Sequence, residues 1–529
     1  SDNRGRPVPH TLQAQGNVTA RQGDRLVKAS EQLDVTFEMV TRPPPPFDAA
    51  AAYNDAVKQG LDLRTIDWEA KRREHENAIR TEPGVAHFHA VGDVFIDDPA
   101  QPLELTAREV DCTVTDGRDI DKARVHGTED NPANVKMDTF TVTGQKIRVD
   151  AANQWAEVPG AGRLTFRSMR DLDGSQATEP VPVAVTWNEW MKYHGRENRS
   201  VFQGRVHATS RTATTFDCDR LVVDFDDAPP PATSDEPGQD WWILQGLVDQ
   251  LSDAAWPEDT APTHQRFRKE PTHVLAVGHA VAQTARTDES SGDIDQRATI
   301  RGPKLSVNLR SNVSKMLIEG PGSLLLEDYR APTPQERASR TQQGAGLFDV
   351  NAGTGPSNTL IEWADMMWYD FSIDQTRFEG DVNLTHFSGA ELMRVRGGST
   401  LAGAQPPPGR RTFLACDVLV VDFLQRDQRG SSSQDHRMGR LGAALLQHFA
   451  AEGAVQLEDT GEGISLGAGR VVYERDRRLL AVYGSPSKNA QIILQRPGRL
   501  PTQFSAERFF YDVEKDQIEQ VVKPSLRSR

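Results

Sequence analysis

The octapeptide CDRLVVDF occupies positions 218–225, and CDVLVVDF occupies positions 416–423. Seven of the eight letters agree across a separation of 198 residues. Self-similarity of this kind means that one supersecondary unit is written more than once. The agreement extends upstream, where WNEWMKYHGRENRSVFQGRVHAT starts at Trp187 and WADMMWYDFSIDQTRFEGDVNLT starts at Trp363. Phe-x-Gly-x-Val follows in both, as Phe202/Gly204/Val206 and Phe378/Gly380/Val382. A weaker third copy opens the chain. AQGNVTA carries Gly16 and Val18, and SEQLDVTFE carries Leu33, Val35 and Phe37, with Ser30 in the place of the cysteine. A position that takes Ser or Cys suits a small strand residue better than a nucleophile.

Each copy continues alike. Gly-x-Val-like stretches recur at Gly92/Val94, Gly278/Val281 and Gly453/Val455. VTGQKIRVD, IRGPKLSVN and LGAGRVVYE come next, then VPGAGRLTF and EGPGSLLLE. The spacing predicts three units of roughly 180 residues, each built of two half-units. Their bounds fall at 1–166, 167–330 and 331–529.

Within LDVTF and LVVDF, large apolar residues stand at i, i+2 and i+4. That period marks a strand with one dry face and one wet face. Gly before each strand suggests a bend or bulge. Short strands at even spacing predict an all-β sandwich, barrel or solenoid. Three segments interrupt the pattern at one place in each unit: about 48–80, 239–255 and 439–451. Helix formers with apolar residues at i, i+3 and i+4 predict helical insertions there.

Composition narrows the function. Apolar residues make up 37%, with 41 Gly and 32 Pro, which suits thin layers of strands and many turns. The net charge of −15 argues against a nucleic-acid partner. Three cysteines without a CxxC pair point neither to a disulfide framework nor to a zinc knuckle. No apolar run reaches the length of a membrane-spanning helix. No secretory signal is visible, and the opening SDNRG without Met fits a processed or trimmed product.

The order Gly-x-Val, polar stretch, small residue, alternating strand and Gly-bracketed pair resembles the OstA-like family. That family includes the periplasmic bridge proteins of lipopolysaccharide transport. The resemblance implies an elongated, repeated β-jellyroll, or β-taco, with an open apolar interior that carries acyl chains. It implies a location in the periplasm or envelope of a Gram-negative-type bacterium, no catalytic residue and no cofactor. It implies lipopolysaccharide or another glycolipid as partner. Other envelope transport proteins would join by strand-edge stacking. Separately, open strand edges that stack on another copy of this chain would give a head-to-tail oligomer. The chain is longer than the simple bridge proteins and carries helical insertions that they lack.

The lipid-groove candidates are Leu33, Val35, Phe37, Leu221, Val223, Phe225, Leu419, Val421 and Phe423. Burying a ten-carbon segment against such rows contributes roughly 8 kcal/mol before the costs of binding. A closed core that touches only protein is the competing reading, and makes the chain a structural or interaction scaffold. A glycan-active β-solenoid enzyme is a third reading, with Asp219, Asp224, Asp417 and Asp422 as paired carboxylates. Period-two Asp on a wet face is more simply a solvated surface. His87 and His89 share a strand face, but two ligands do not define a metal site. Cys218 and Cys416 read as buried small residues. Trp187, Trp190, Trp363 and Trp368 read as core aromatics or sugar platforms. Trp241 and Trp242, in the second insertion, suit a membrane interface or a plug. Three arginines in GRENRSVFQGR could meet an anionic headgroup, or line a solvated turn.

Overall fold

The computed structural model describes residues 10–22, 25–42, 49–59, 66–76, 80–99, 103–115, 119–136, 140–170, 176–210, 214–227, 269–287, 293–310, 315–329, 357–388, 410–424 and 445–524, less nine single positions within the last span. The described chain is all-β, apart from two helices and one 3₁₀ turn. The first strands are β1 (Thr11–Gln15), β2 (Val18–Gln22), β3 (Arg25–Ala29) and β4 (Gln32–Arg42). Helices α1 (Ala49–Lys58) and α2 (Trp68–Glu76) follow, inside the expected 48–80 insertion. Next come β5 (Arg80–Asp98), β6 (Leu103–Thr115), β7 (Asp119–His126), β8 (Ala133–Lys136), β9 (Phe140–Gly144) and β10 (Lys146–Asp150). Then come β11 (Trp155–Pro159), β12 (Gly162–Arg170), β13 (Gln176–Trp187), β14 (Trp190–His194), β15 (Arg199–Ser210) and β16 (Thr215–Asp227). After residues 228–268, which are not described, come β17 (Lys269–Thr287), β18 (Ile294–Asn308), β19 (Lys315–Glu319) and β20 (Gly322–Asp328). They are followed by β21 (Ser357–Trp363), β22 (Met366–Asp370), β23 (Gln375–Ser388), β24 (Arg410–Leu424) and β25 (Leu445–Asp459). The last are β26 (Ile464–Glu474), β27 (Leu479–Tyr483), β28 (Ala490–Leu494), β29 (Thr502–Asp512) and β30 (Gln517–Pro524).

The chain forms two compact units. The first comprises Ser1–Phe166, Asn188–Ser200 and Asp226–Glu270. Its ladders are antiparallel. The early half of β5 pairs with β4, and its late half pairs with β3. Likewise β6 gives one half to β7 and the other to β8. Long strands therefore pair with two different neighbours, one on each side of a bend, within one hydrogen-bonded sheet.

The second unit comprises Arg167–Trp187, Val201–Phe225 and Pro271–Arg529. It repeats the device. β18 pairs with β19 over Lys304–Asn308 and with β20 over Gln296–Arg301. β23 does the same with β22 and β21, and β26 with β27 and β28. Period-two burial on both sides of each bend gives the two sheet halves a shared apolar interior, the arrangement by which two-layer β structures exclude water.

The bends explain the recurring glycines. They lie within strands, not ahead of them as the sequence suggested. Gly92–Asp93, Gly278–His279 and Gly380–Asp381 each place two consecutive residues at positive φ, at +81/+31, +76/+46 and +84/+42. Each coincides with a register shift in the ladder. Gly453, at φ +102, marks a fourth. Only glycine enters that region without steric cost, so the bulge has a residue requirement.

One insertion differs from expectation. Over 439–451 the sequence predicts a helix, but β25 already begins at Leu445. The reason is tertiary. β24 offers an unpaired edge, and Leu445–Asp459 takes it up as a ladder, with Leu419 opposite Ala451 and Val421 opposite Phe449. Phe449, Ala451, Val455 and Leu457 are buried in period two, which a helix would scatter. The insertion over 239–255, with Trp241 and Trp242, lies outside the described residues.

Candidate functional site

Four of the nine groove candidates lie in the second unit with side chains at most 5% exposed: Leu221, Phe225, Leu419 and Val421. Leu33 of the first unit is also buried, at 3%. Val35, Phe37 and Val223 are half-buried. The side chain of Phe423 lies outside the described residues. CDRLVVDF does not alternate cleanly, because Val222 is buried where Val223 is half-exposed.

The candidates are parts of longer rows. In the second unit, cross-strand register links Ala276, Leu305, Ile318, Met367, Phe378, Leu419, Ala451, Val471, Val482 and Phe509, one residue per strand. On the other side of the bends a second row links Ala282, Ile300, Leu324, Ile361, Leu384, Leu414, Leu457, Leu466 and Ile492. No polar residue interrupts either row. At about 4.8 Å per strand, each runs for roughly 40 Å along its sheet.

Polar candidates on the outer faces are engaged separately. Asp224 lies 3.3 Å from His273 Nδ1, and Asp422 lies 3.0 Å from His448 Nδ1. Asp219 lies 2.9 Å from Nδ1 of the exposed His279. Asp417 stands against Gly453, where a Cβ would collide with its carboxylate. His87 pairs with Asp111 at 3.1 Å, and His89 with Glu109 at 3.0 Å. No group of three or more metal-ligating side chains occurs among the described residues. One regularity was missed in the sequence: His87, His273 and His448 each stand five residues before a bulge glycine and each pairs with a carboxylate.

The cysteines are free and buried. Burial pushes the Cys218 and Cys416 thiols up to about 12, helped by the flanking carboxylates Asp217 and Asp219 for the first and Asp417 for the second. Burial raises Cys112 further, with Asp111 adding to it. A thiol so disfavoured as thiolate is a packing residue, not a nucleophile. The tryptophans divide. Trp187 and Trp363 are core residues, each 5.4 Å from its phenylalanine, Phe202 or Phe378. Trp190 and Trp368 are half-exposed, under Lys192 and Lys315. In GRENRSVFQGR, Gly195–Glu197 forms a 3₁₀ turn closed by Asn198 in the left-handed region, and Arg196 is exposed.

A second feature escaped the sequence reading. Beside the apolar row through Leu384 and Leu414, two residues further along the strands, runs a row containing Thr359, His386, Thr412 and Asp459. All four are buried. Thr359 Oγ1 lies 2.9 Å from His386 Nδ1, and Thr412 Oγ1 donates to Asp459 Oδ2 at 2.8 Å. The available signal was a polar residue in the apolar phase of THF, RTFLAC and QLED.

No family model matches the chain, and no curated protein matches it. A solved structure that it resembles is that of LptH from Pseudomonas aeruginosa. LptH is described as the LptA-homologous periplasmic component of the lipopolysaccharide transport device. The overlay has 15% identity and a TM-score of 0.18, and covers 33% of this chain and 96% of LptH. No helix among the described residues is long and apolar enough to cross a membrane.

Proposed function

We propose that the chain is a non-enzymatic lipid-binding or lipid-transport protein of the cell envelope, built of three tandem units at 1–166, 167–330 and 331–529. Its ligand is an acyl amphiphile of the lipopolysaccharide type, seated on the interior rows. The observation that carries this reading is the pair of uninterrupted apolar rows in the second unit, each continued over at least nine strands by ladder register. A closed core needs enough apolar burial to fold, but no unbroken linear track. An acyl chain needs a track, and gains roughly 0.8 kcal/mol per CH₂ buried on it. The tight burial of Leu419 and Val421 means that the two sheet halves part to admit a chain. The scaffold reading is favoured by that same burial, and the test separates the two.

A photo-crosslinking amino acid is placed at Leu384, half-buried on the second row, or at the half-buried groove candidates Val35, Phe37 or Val223, and at the exposed Arg220 as control. The protein is expressed in a lipopolysaccharide-containing host and irradiated. Glycolipid adducts at the row positions, and none at Arg220, are the expected result. Unlabelled protein at every position, with no lipid released under native mass spectrometry, leaves the scaffold.

A further inference from the structure

We propose that the polar row of the second unit selects hydroxylated acyl chains over plain ones. This rests on the lipid-binding reading and specifies its ligand. The row lies on the interior face, parallel to the apolar row and about 7 Å from it along the strands. Its members Thr359, His386, Thr412 and Asp459 are between 2% and 6% exposed. A headgroup that stays in water does not reach side chains buried this deeply. What reaches them is the buried part of the ligand, its chain.

The row extends past Ala298 and Leu326 to Thr284, and Gln296 stands on the same face two residues from Ala298. Thr284 and Gln296 are each 2% exposed. The Thr284 hydroxyl and the Gln296 side-chain carbonyl have no hydrogen-bond partner among the described residues. A buried polar atom without a partner is costly, and natural interiors rarely keep one without a reason. Both orphans can accept a hydrogen bond from an alcohol. Thr359, His386 and Thr412 add groups that re-pair readily with a ligand hydroxyl. The row thus supplies what a secondary alcohol on an acyl chain needs, beside the track on which the methylenes would lie.

The test measures affinities of the full chain for tetradecanoic acid and 3-hydroxytetradecanoic acid by calorimetry, below the concentrations at which either self-associates. The probes share length and charge and differ by one hydroxyl. Wild type is expected to bind the hydroxy acid about tenfold more tightly, the effect of one buried hydrogen bond. The isosteric pair Thr359→Val and Thr412→Val is expected to lower that preference, read as the ratio of the two affinities within the same variant. Should the double variant fail to fold, Thr284→Val alone, which breaks no hydrogen bond within the described structure, is expected to reduce the preference. Equal binding of both probes by wild type, or a preference unmoved in every folded variant, overturns the selectivity and leaves the lipid reading intact. No binding of either probe overturns both.

Discussion

At the scale of single residues, the bulge glycines are the least replaceable positions. Gly380 sits at φ +84, and a Cβ there would meet the Asp365 carboxylate carbon at 2.5 Å. Gly380→Ala is therefore expected to lose about 1–3 kcal/mol in urea denaturation, through backbone strain and that clash. Gly467, where a Cβ would meet nothing within 4 Å and φ is not positive, is the control and is expected to change little on replacement by Ala. The thiols give a pH signature. Raised folded-state values for Cys218 and Cys416 mean that the neutral thiol is the buried form. That stability is fully present below the ordinary thiol value of 9.0 and is lost as pH rises towards about 12. Unfolding free energy is thus expected to fall between pH 9 and 11, with a smaller fall in a Cys218→Ala/Cys416→Ala variant. A thiol reagent at pH 8 is expected to label the cysteines only after denaturation.

At the scale of the element, a strand is specified by which of its faces is dry. Leu419 of β24 is 1% exposed, between Phe378 and Ala451 in register. Leu419→Ala is expected to cost about 2–5 kcal/mol, the usual range for a buried leucine. Val420→Ala, one residue on and half-exposed, is expected to cost under about 1 kcal/mol. Equal losses at both sites would disprove the assigned phase. The period-two pattern of this strand was legible in its sequence. β25 was less so: LLQHFAAE reads equally as a helical face, and only the free edge of β24 selects the extended form. The bulges were half legible. Glycine signalled a bend, but not that the strand would continue through it.

At the scale of the molecule, β1, β2 and β30 each have one ladder partner among the described residues, β2 pairing with β3. β1 pairs with β4, and β30 pairs with β29. Exposed Leu12 and Val522 lie on these strands, at 44% and 40%. Unpaired edges recruit further strands, and charged side chains blunt them. The head-to-tail assembly expected from the sequence therefore makes a specific prediction. Sedimentation of wild type is expected to show concentration-dependent self-association, and Leu12→Lys with Val522→Lys to shift it to monomer. A monomer at all concentrations would exclude assembly through these edges.

The alternation in CDRLVVDF and its copies, with glycine at fixed offsets, determined by itself that this is an all-β chain of repeated phrases. Period-two burial and left-handed backbone are local demands that residue type states directly. Tertiary structure alone decided the rest. It joined Leu384, Leu414 and Leu457 into one track, because residues far apart in sequence become neighbours only through ladder register. It turned residues 445–451 from expected helix to strand, because a free edge outweighs a modest propensity. It brought Thr359, His386, Thr412 and Asp459 onto one buried row, and no spacing within any one strand contains that row.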